Sequence, residues 1–123
     1  MLPEHSDVTK ACPAVNAILS RIGDKWSVLI VMELAKSARR FNELKRDVDG
    51  ISQRMLTLTL RGLERDGLVS RTVFDTVPPK VEYALTDLGH SLQEPVLALG
   101  KWAIENRDRI HTAQSVFDER IGA

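Results

Sequence analysis

Cysteine is nearly absent from this sequence: Cys12 is the one thiol in 123 residues. A single thiol excludes an internal disulfide framework. With only three scattered histidines, His5, His90 and His111, it leaves no Cys/His set at zinc-ligand spacing. Neither a metal nor a cofactor is expected. No Gly-rich phosphate loop or nucleophile motif accompanies those histidines, so an enzyme is a poor reading. Long apolar runs are missing as well, and the first residues lack the basic start and apolar stretch of a secretory signal. The expectation is a cytoplasmic protein with no membrane partner. Net charge is also lacking, because 17 basic side chains balance 17 acidic ones, and taken alone this speaks against a nucleic-acid partner.

The distribution of charge says more than its sum. Lys36 through Arg71 carry nine basic and five acidic residues, whereas Glu82 to the end carries four basic and seven acidic. A basic middle and an acidic end suggest one face for phosphates and another for something else, although ordinary solvated helix surface produces similar swings. Length and a 43% apolar content fit one compact domain.

Periodicity separates those readings. Pro13 suits the first turn of a helix with Val15, Ile18, Leu19 and Ile22 at helical spacing, ended by Gly23. Asp24 caps a second helix through Trp26, Leu29, Ile30, Val31 and Leu34, apolar enough to be the core helix. Phe41, Leu44 and Val48 mark a short third helix before the Asp49-Gly50 turn. Ser52 then caps a fourth helix running to Asp66, with Gly67 where a left-handed residue is wanted. At about 100° per residue, Met55, Leu56, Thr59, Leu60 and Leu63 share one arc, while Arg54, Thr57, Leu58, Arg61 and Arg65 lie opposite, with Gln53 at the N-terminal edge. A row of donors on the outer arc fits phosphate oxygens and major-groove base edges, as a recognition helix requires.

Beyond Gly67 the period changes. Val69 to Phe74 and Val81 to Leu85 read as strands joined by a loop with Pro78 and Pro79 at its tip and Lys80 placed to reach a phosphate. Helices followed by a recognition helix and a hairpin give the winged-helix order; an α+β domain whose hairpin merely caps the core has the same pattern. Thr86 caps a final helical region to about His111, which Pro95 either kinks or divides. Leu92, Val96, Leu99, Ala103, Asn106 and Ile110 recur there at alternating spacings of four and three, a seam suited to pairing with a second subunit; packing on its own domain is the alternative, though a domain of this size has little core left to cover it.

These segments carry a resemblance. Cys12-Pro13, Gly23-Asp24-Lys25-Trp26, Arg40-Phe41-Asn42-Glu43-Leu44, Gly50-Ile51-Ser52-Gln53-Arg54-Met55-Leu56, Leu63-Glu64-Arg65-Asp66-Gly67 and Val77-Pro78-Pro79-Lys80 resemble successive signatures of the HxlR-type, MarR-like winged helix-turn-helix regulators. The resemblance implies an α+β fold: an N-terminal arm over 1–11, a winged helix-turn-helix domain over 12–91, and a C-terminal dimerisation region over 92–123. It implies a homodimer bound to double-stranded operator DNA, commonly as a repressor, with Gln53, Arg54, Thr57 and Arg61 at the DNA-contacting positions. The full candidate set for DNA adds Arg40, Ser52, Leu58, Arg65 and Lys80. Leu58 and Thr59 depart from the polar side chains many relatives carry after Thr57. Some family members answer oxidants or electrophiles through a cysteine near the N-terminus, which makes Cys12 a redox-sensing candidate. A small-molecule ligand in place of redox, or a winged-helix protein-interaction module, are the alternatives.

Overall fold

The computed structural model describes residues 13–122; Cys12 and the 1–11 arm lie outside the described residues. Helix α1 (Pro13–Ile22) closes with the Gly23 N–H donating to the Leu19 carbonyl at 2.8 Å. It buries none of its residues. Helix α2 (Lys25–Lys36) is capped by Asp24, whose Oδ2 accepts from the Ser27 backbone N–H at 3.1 Å. Ser27, Ile30, Val31 and Leu34 form its buried face, at the spacing of one side of a helix.

A two-residue strand, β1 (Arg39–Arg40), follows, then α3 (Phe41–Asp47), started by the Arg40 N–H donating to Glu43 Oε1 at 2.8 Å. Gly50, at φ 83°, turns the chain toward α4 (Gln53–Arg65). Ser52 Oγ accepts from the Met55 N–H at 3.0 Å, and Gly67, at φ 77°, ends the helix in the left-handed region that glycine adopts without a steric cost. Strands β2 (Val69–Phe74) and β3 (Lys80–Leu85) pair antiparallel from Val69 with Leu85 to Phe74 with Lys80, and β1 pairs with the other edge of β3. Thr86 caps α5 (Asp87–Arg120): its Oγ1 accepts from the Gly89 N–H and donates to the Gly67 carbonyl, which ties the start of α5 to the end of α4.

The core is the meeting of these elements. Ile30 and Leu34 of α2, Leu44 of α3, Leu56, Leu60 and Leu63 of α4, and Val69 and Leu85 of the hairpin are all buried in one cluster. At roughly 2 kcal/mol per fully buried aliphatic side chain, this burial is the main force holding α4 in place. Thr59 is buried among them, its hydroxyl satisfied by donating to the Met55 carbonyl at 2.8 Å. The architecture is the winged helix-turn-helix.

Four expectations change. β1 was not anticipated. Met55, assigned to the core arc, is 38% exposed because it sits at the arc's edge, about 100° from the centre of the face formed by Leu56, Leu60 and Leu63. Helix α5 continues through Pro95 without dividing and runs to Arg120 rather than to His111. Finally, Val96 is 5% exposed within its own subunit and Leu92 packs against the same core, because the first half of α5 lies along α2. Their apolar surface is therefore largely spent inside the chain, which moves the part of the seam open to a second subunit toward Leu99 and beyond.

Candidate nucleic-acid interface

Helix α4 is amphipathic in a way that fixes what it presents. Its core arc is pinned by Leu56, Leu60 and Leu63, so the opposite arc must face outward. Gln53, Arg54, Thr57, Leu58, Arg61 and Arg65 are all exposed there. The outer arc divides into two stripes. Arg54, Leu58 and Arg65 stand almost directly opposite the core, roughly 180° away, where an inserted helix reaches deepest. Gln53, Thr57 and Arg61 lean toward the hairpin and line an open cavity of about 540 Å³ with Arg71, Tyr83 and Phe41.

Each side chain brings a distinct capability. Gln53 carries a paired donor and acceptor, the set that matches an adenine edge; Arg61 and Arg54 carry the planar fork that matches guanine or a phosphate. Thr57 Oγ1 donates to the Gln53 carbonyl at 2.9 Å, which turns its methyl and free lone pairs outward. Leu58 is 49% exposed, so it offers an apolar contact of the kind a thymine methyl takes. Ser52 spends its side chain on the cap. Its position at the N-terminus of α4 nonetheless places it beside the positive end of the helix dipole.

Ion pairing sorts the cations. Among the described residues, salt bridges engage Arg21, Lys36, Arg39, Arg46 and Lys80, and none involves Arg40, Arg54, Arg61, Arg65 or Arg71. Unpaired, exposed guanidinium groups keep their charge and donors for an anionic ligand. Arg39 lies half-buried with Nε 3.5 Å from Asp47 Oδ2, yet that nitrogen makes no well-aligned hydrogen bond. The contact therefore acts as a charge pair across β1 and α3. Lys80 differs from its expectation: it starts β3 rather than projecting from the loop, with Nζ 2.9 Å from Glu82 Oε2 and 4.9 Å from the centre of the Phe74 ring. A phosphate would have to compete with Glu82 for it. A partly exposed pair is worth at most about 1 kcal/mol, so that competition is winnable.

Arg71 is the residue that sequence reasoning counted as charge but gave no role. It lies on β2 opposite Tyr83, and the register of the hairpin brings it to the mouth of the α4 cavity. Only the strand pairing could have revealed this. Glu64, in the same cavity, sets a negative limit to the basic surface.

From Leu99 onward α5 leaves Leu99 56% exposed, Trp102 55%, Ile110 42% and Phe117 56%. Ala103 is exposed, and Asn106 is partly buried, its Nδ2 donating to the Trp102 carbonyl at 2.9 Å. The spacing of four and three continues past Ile110 to Ala113 and Phe117. Among the described residues no helix is long and apolar enough to cross a membrane.

Comparison with known proteins agrees with this geometry. Residues 21–111 match the family model described as HxlR-like helix-turn-helix. The chain is 45% identical over 105 residues to an uncharacterized HTH-type transcriptional regulator of Bacillus subtilis, YdeP, covering 85% of this chain and 81% of that one. The structure superposes on the putative transcriptional regulator ytfH from Salmonella typhimurium with a TM-score of 0.78 at 35% identity, covering 86% and 94% of the two chains. It superposes on the oxidized form of the redox regulator HypR with a TM-score of 0.71 at 46% identity, covering 77% and 97%.

Proposed function

The chain belongs to the HxlR-like helix-turn-helix family and is a transcriptional regulator of that type, and we propose that it works as a homodimeric repressor reading a roughly palindromic operator with α4. One observation carries the DNA reading: the core-pinned helix α4 turns an exposed set of Gln53, Arg54, Thr57, Arg61 and Arg65 outward, its three arginines outside the described salt bridges, beside Arg71 of β2. Arg40 and Arg71 extend that surface to the backbone on either side. Dimerisation is supported by the apolar residues that α1 and distal α5 leave exposed, a stretch that a lone subunit would hold in water. Two-fold pairing there sets two copies of α4 about one turn of DNA apart. A regulator of this kind acts in the compartment that holds the chromosome, the cytoplasm of a bacterium.

The decisive experiment is an electrophoretic shift and footprint with the DNA upstream of the protein's own gene. A protected site with two half-sites supports the reading. Protection of a single half-site, or sedimentation as a monomer at micromolar concentration, would contradict the dimer.

Cys12 is the proposed signal receiver, supported by the likeness to a protein named as a redox regulator. With one cysteine in the sequence, three outcomes are open: alkylation of Cys12 by an electrophile, a mixed disulfide with a small thiol, or a bridge to Cys12 of the partner subunit. In the bridge, two electrons and two protons would pass to an oxidant such as diamide, leaving one S–S bond and the reduced hydrazine. Treating wild type and Cys12→Ser with diamide, then measuring operator affinity, tests this. Equal responses in both proteins remove Cys12 as the switch. A small-molecule reading is favoured by a different observation: a mainly apolar, open cavity of about 380 Å³ between α1 and α5, lined by Ile18, Ile22, Leu88 and Leu92, with Arg21 and Asp66 in its wall.

A further inference from the structure

Helix α1 buries no residue fully: Ile22 meets core side chains such as Val31, Leu63 and Val96, while Ile18 borders an open cavity toward α5. Yet α1 is joined to the recognition helix. Arg21, in its last turn, places Nε 2.8 Å from Oδ2 of Asp66, the residue that caps the C-terminus of α4, across 45 positions of sequence. Among the described residues this is the one salt bridge between α1 and α4.

The path of the Arg21 side chain is unusual. Its guanidinium lies against α4 at Gly62: a Cβ built there would fall on it, with Cζ only 2.5 Å away. Gly62 sits mid-helix at ordinary helical φ, where glycine weakens a helix relative to alanine. The turn of α4 that holds Gly62 is thus a notch in which a planar cation lies flat before reaching Asp66. Both partners are about one-third exposed, 34% and 32%, so the pair itself adds little to stability. Its effect is on position.

We infer that Arg21 is a positioning residue, which latches α1 to the C-terminal end of the recognition helix through the notch at Gly62 and the carboxylate of Asp66. This rests on the reading of α4 as the DNA-contacting helix. Through the latch, a shift of α1, which buries no residue fully, reaches α4 directly, at the end of the helix farthest from its Ser52 cap. A dimer contact, a ligand in the adjacent cavity or a change at the N-terminal end of α1 would all act by this route.

Gly62→Ala provides a test in which structure and position predict opposite signs. Alanine should strengthen α4 and raise or preserve Tm, while its methyl evicts the flexible Arg21 side chain. The assay is fluorescence anisotropy with a duplex that the wild-type protein selects from a random library, against a scrambled duplex of equal length, across a salt series. Gly62→Ala and Arg21→Gln are expected to lower the ratio of selected to scrambled affinity by roughly 3- to 30-fold, the range for residues that act on a site without touching its ligand. The slope of log affinity against log salt should stay at the wild-type value, because no phosphate contact is removed. Exchanging the charges, Arg21→Asp with Asp66→Arg, should recover part of the ratio lost by either change alone. A wild-type ratio in both Gly62→Ala and Arg21→Gln overturns the latch, and a lowered salt slope would make Arg21 a phosphate contact instead. Lower Tm with an unchanged ratio would reduce it to a structural pair. Failure of the wild type to select any sequence overturns the DNA reading itself, and the latch with it.

Discussion

Gly89→Ala should be among the most damaging single-methyl additions to this protein. Gly89 is buried in the first turn of α5, where the helix crosses the segment leaving α4. A Cβ there would overlap the carbonyl oxygen of Leu68 and lie 3.1 Å from both the Leu68 carbonyl carbon and Leu85 Cδ2. None of these can swing aside as a surface side chain does. The Leu68 carbonyl accepts the Thr86 N–H at 3.1 Å, and the Thr86 hydroxyl donates to Gly67 next door, so moving it loosens the joint between α4, β2 and α5. Overpacking costs about 1 to 3 kcal/mol, and a weakened hydrogen bond adds about 1 kcal/mol. The gain from replacing glycine in a helix is at most about 1 kcal/mol. The net loss is about 2 kcal/mol, and at about 4 °C per kcal/mol for a chain of this size Tm should fall by about 8 °C. Thermal unfolding followed by far-UV circular dichroism, at one protein concentration because a dimer's Tm depends on it, measures the shift. An unchanged or raised Tm would refute the reasoning, since it would mean that α5 does not cross the Leu68 carbonyl as closely as described. Gly62→Ala is the internal control: the same substitution meets only a flexible arginine and should not destabilise.

Three other outcomes are expected. Ser52→Ala removes the side-chain acceptor for the Met55 N–H and should cost about 1 kcal/mol in denaturant unfolding; no loss would show that the cap is idle. Arg61→Ala, exposed and free of described ion pairs, should leave Tm unchanged and weaken operator binding by about 1 to 3 kcal/mol if it reads a base, or lower the salt slope by about 1 if it holds a phosphate. Trp102→Glu places a charge in the exposed apolar stretch of α5 and should yield a folded monomer by analytical ultracentrifugation; a dimer of wild-type stability would place the interface elsewhere.

Local chemistry wrote much of this fold into the sequence. Asp24, Ser52, Gly67 and Thr86 act on backbone groups within a few residues, so the helix starts and stops they impose are readable without a structure. The arc of α4 is equally local, because helical periodicity alone separates Leu56, Leu60 and Leu63 from Arg54, Thr57 and Arg61. Features made by distant partners were hidden. β1 exists because Arg39 and Arg40 pair with Tyr83 and Glu82, and no two-residue segment announces that. Val96 reads as a seam residue until α5 is laid along α2, which buries it. Arg71 reaches the α4 cavity through strand register, and Lys80 is held by Glu82 rather than standing free. The Arg21–Asp66 contact spans 45 residues and needs a notch at Gly62 that the sequence shows only as a helix-weakening glycine. Sequence by itself determined where α2, α4 and α5 begin, which way α4 faces and what family the chain resembles, since these depend on neighbours in the chain. Which apolar surface is consumed inside the subunit, which cations stay unpaired and how α1 reaches the recognition helix were decided only by tertiary structure, because burial and ion pairing depend on which distant atoms arrive first at a given surface.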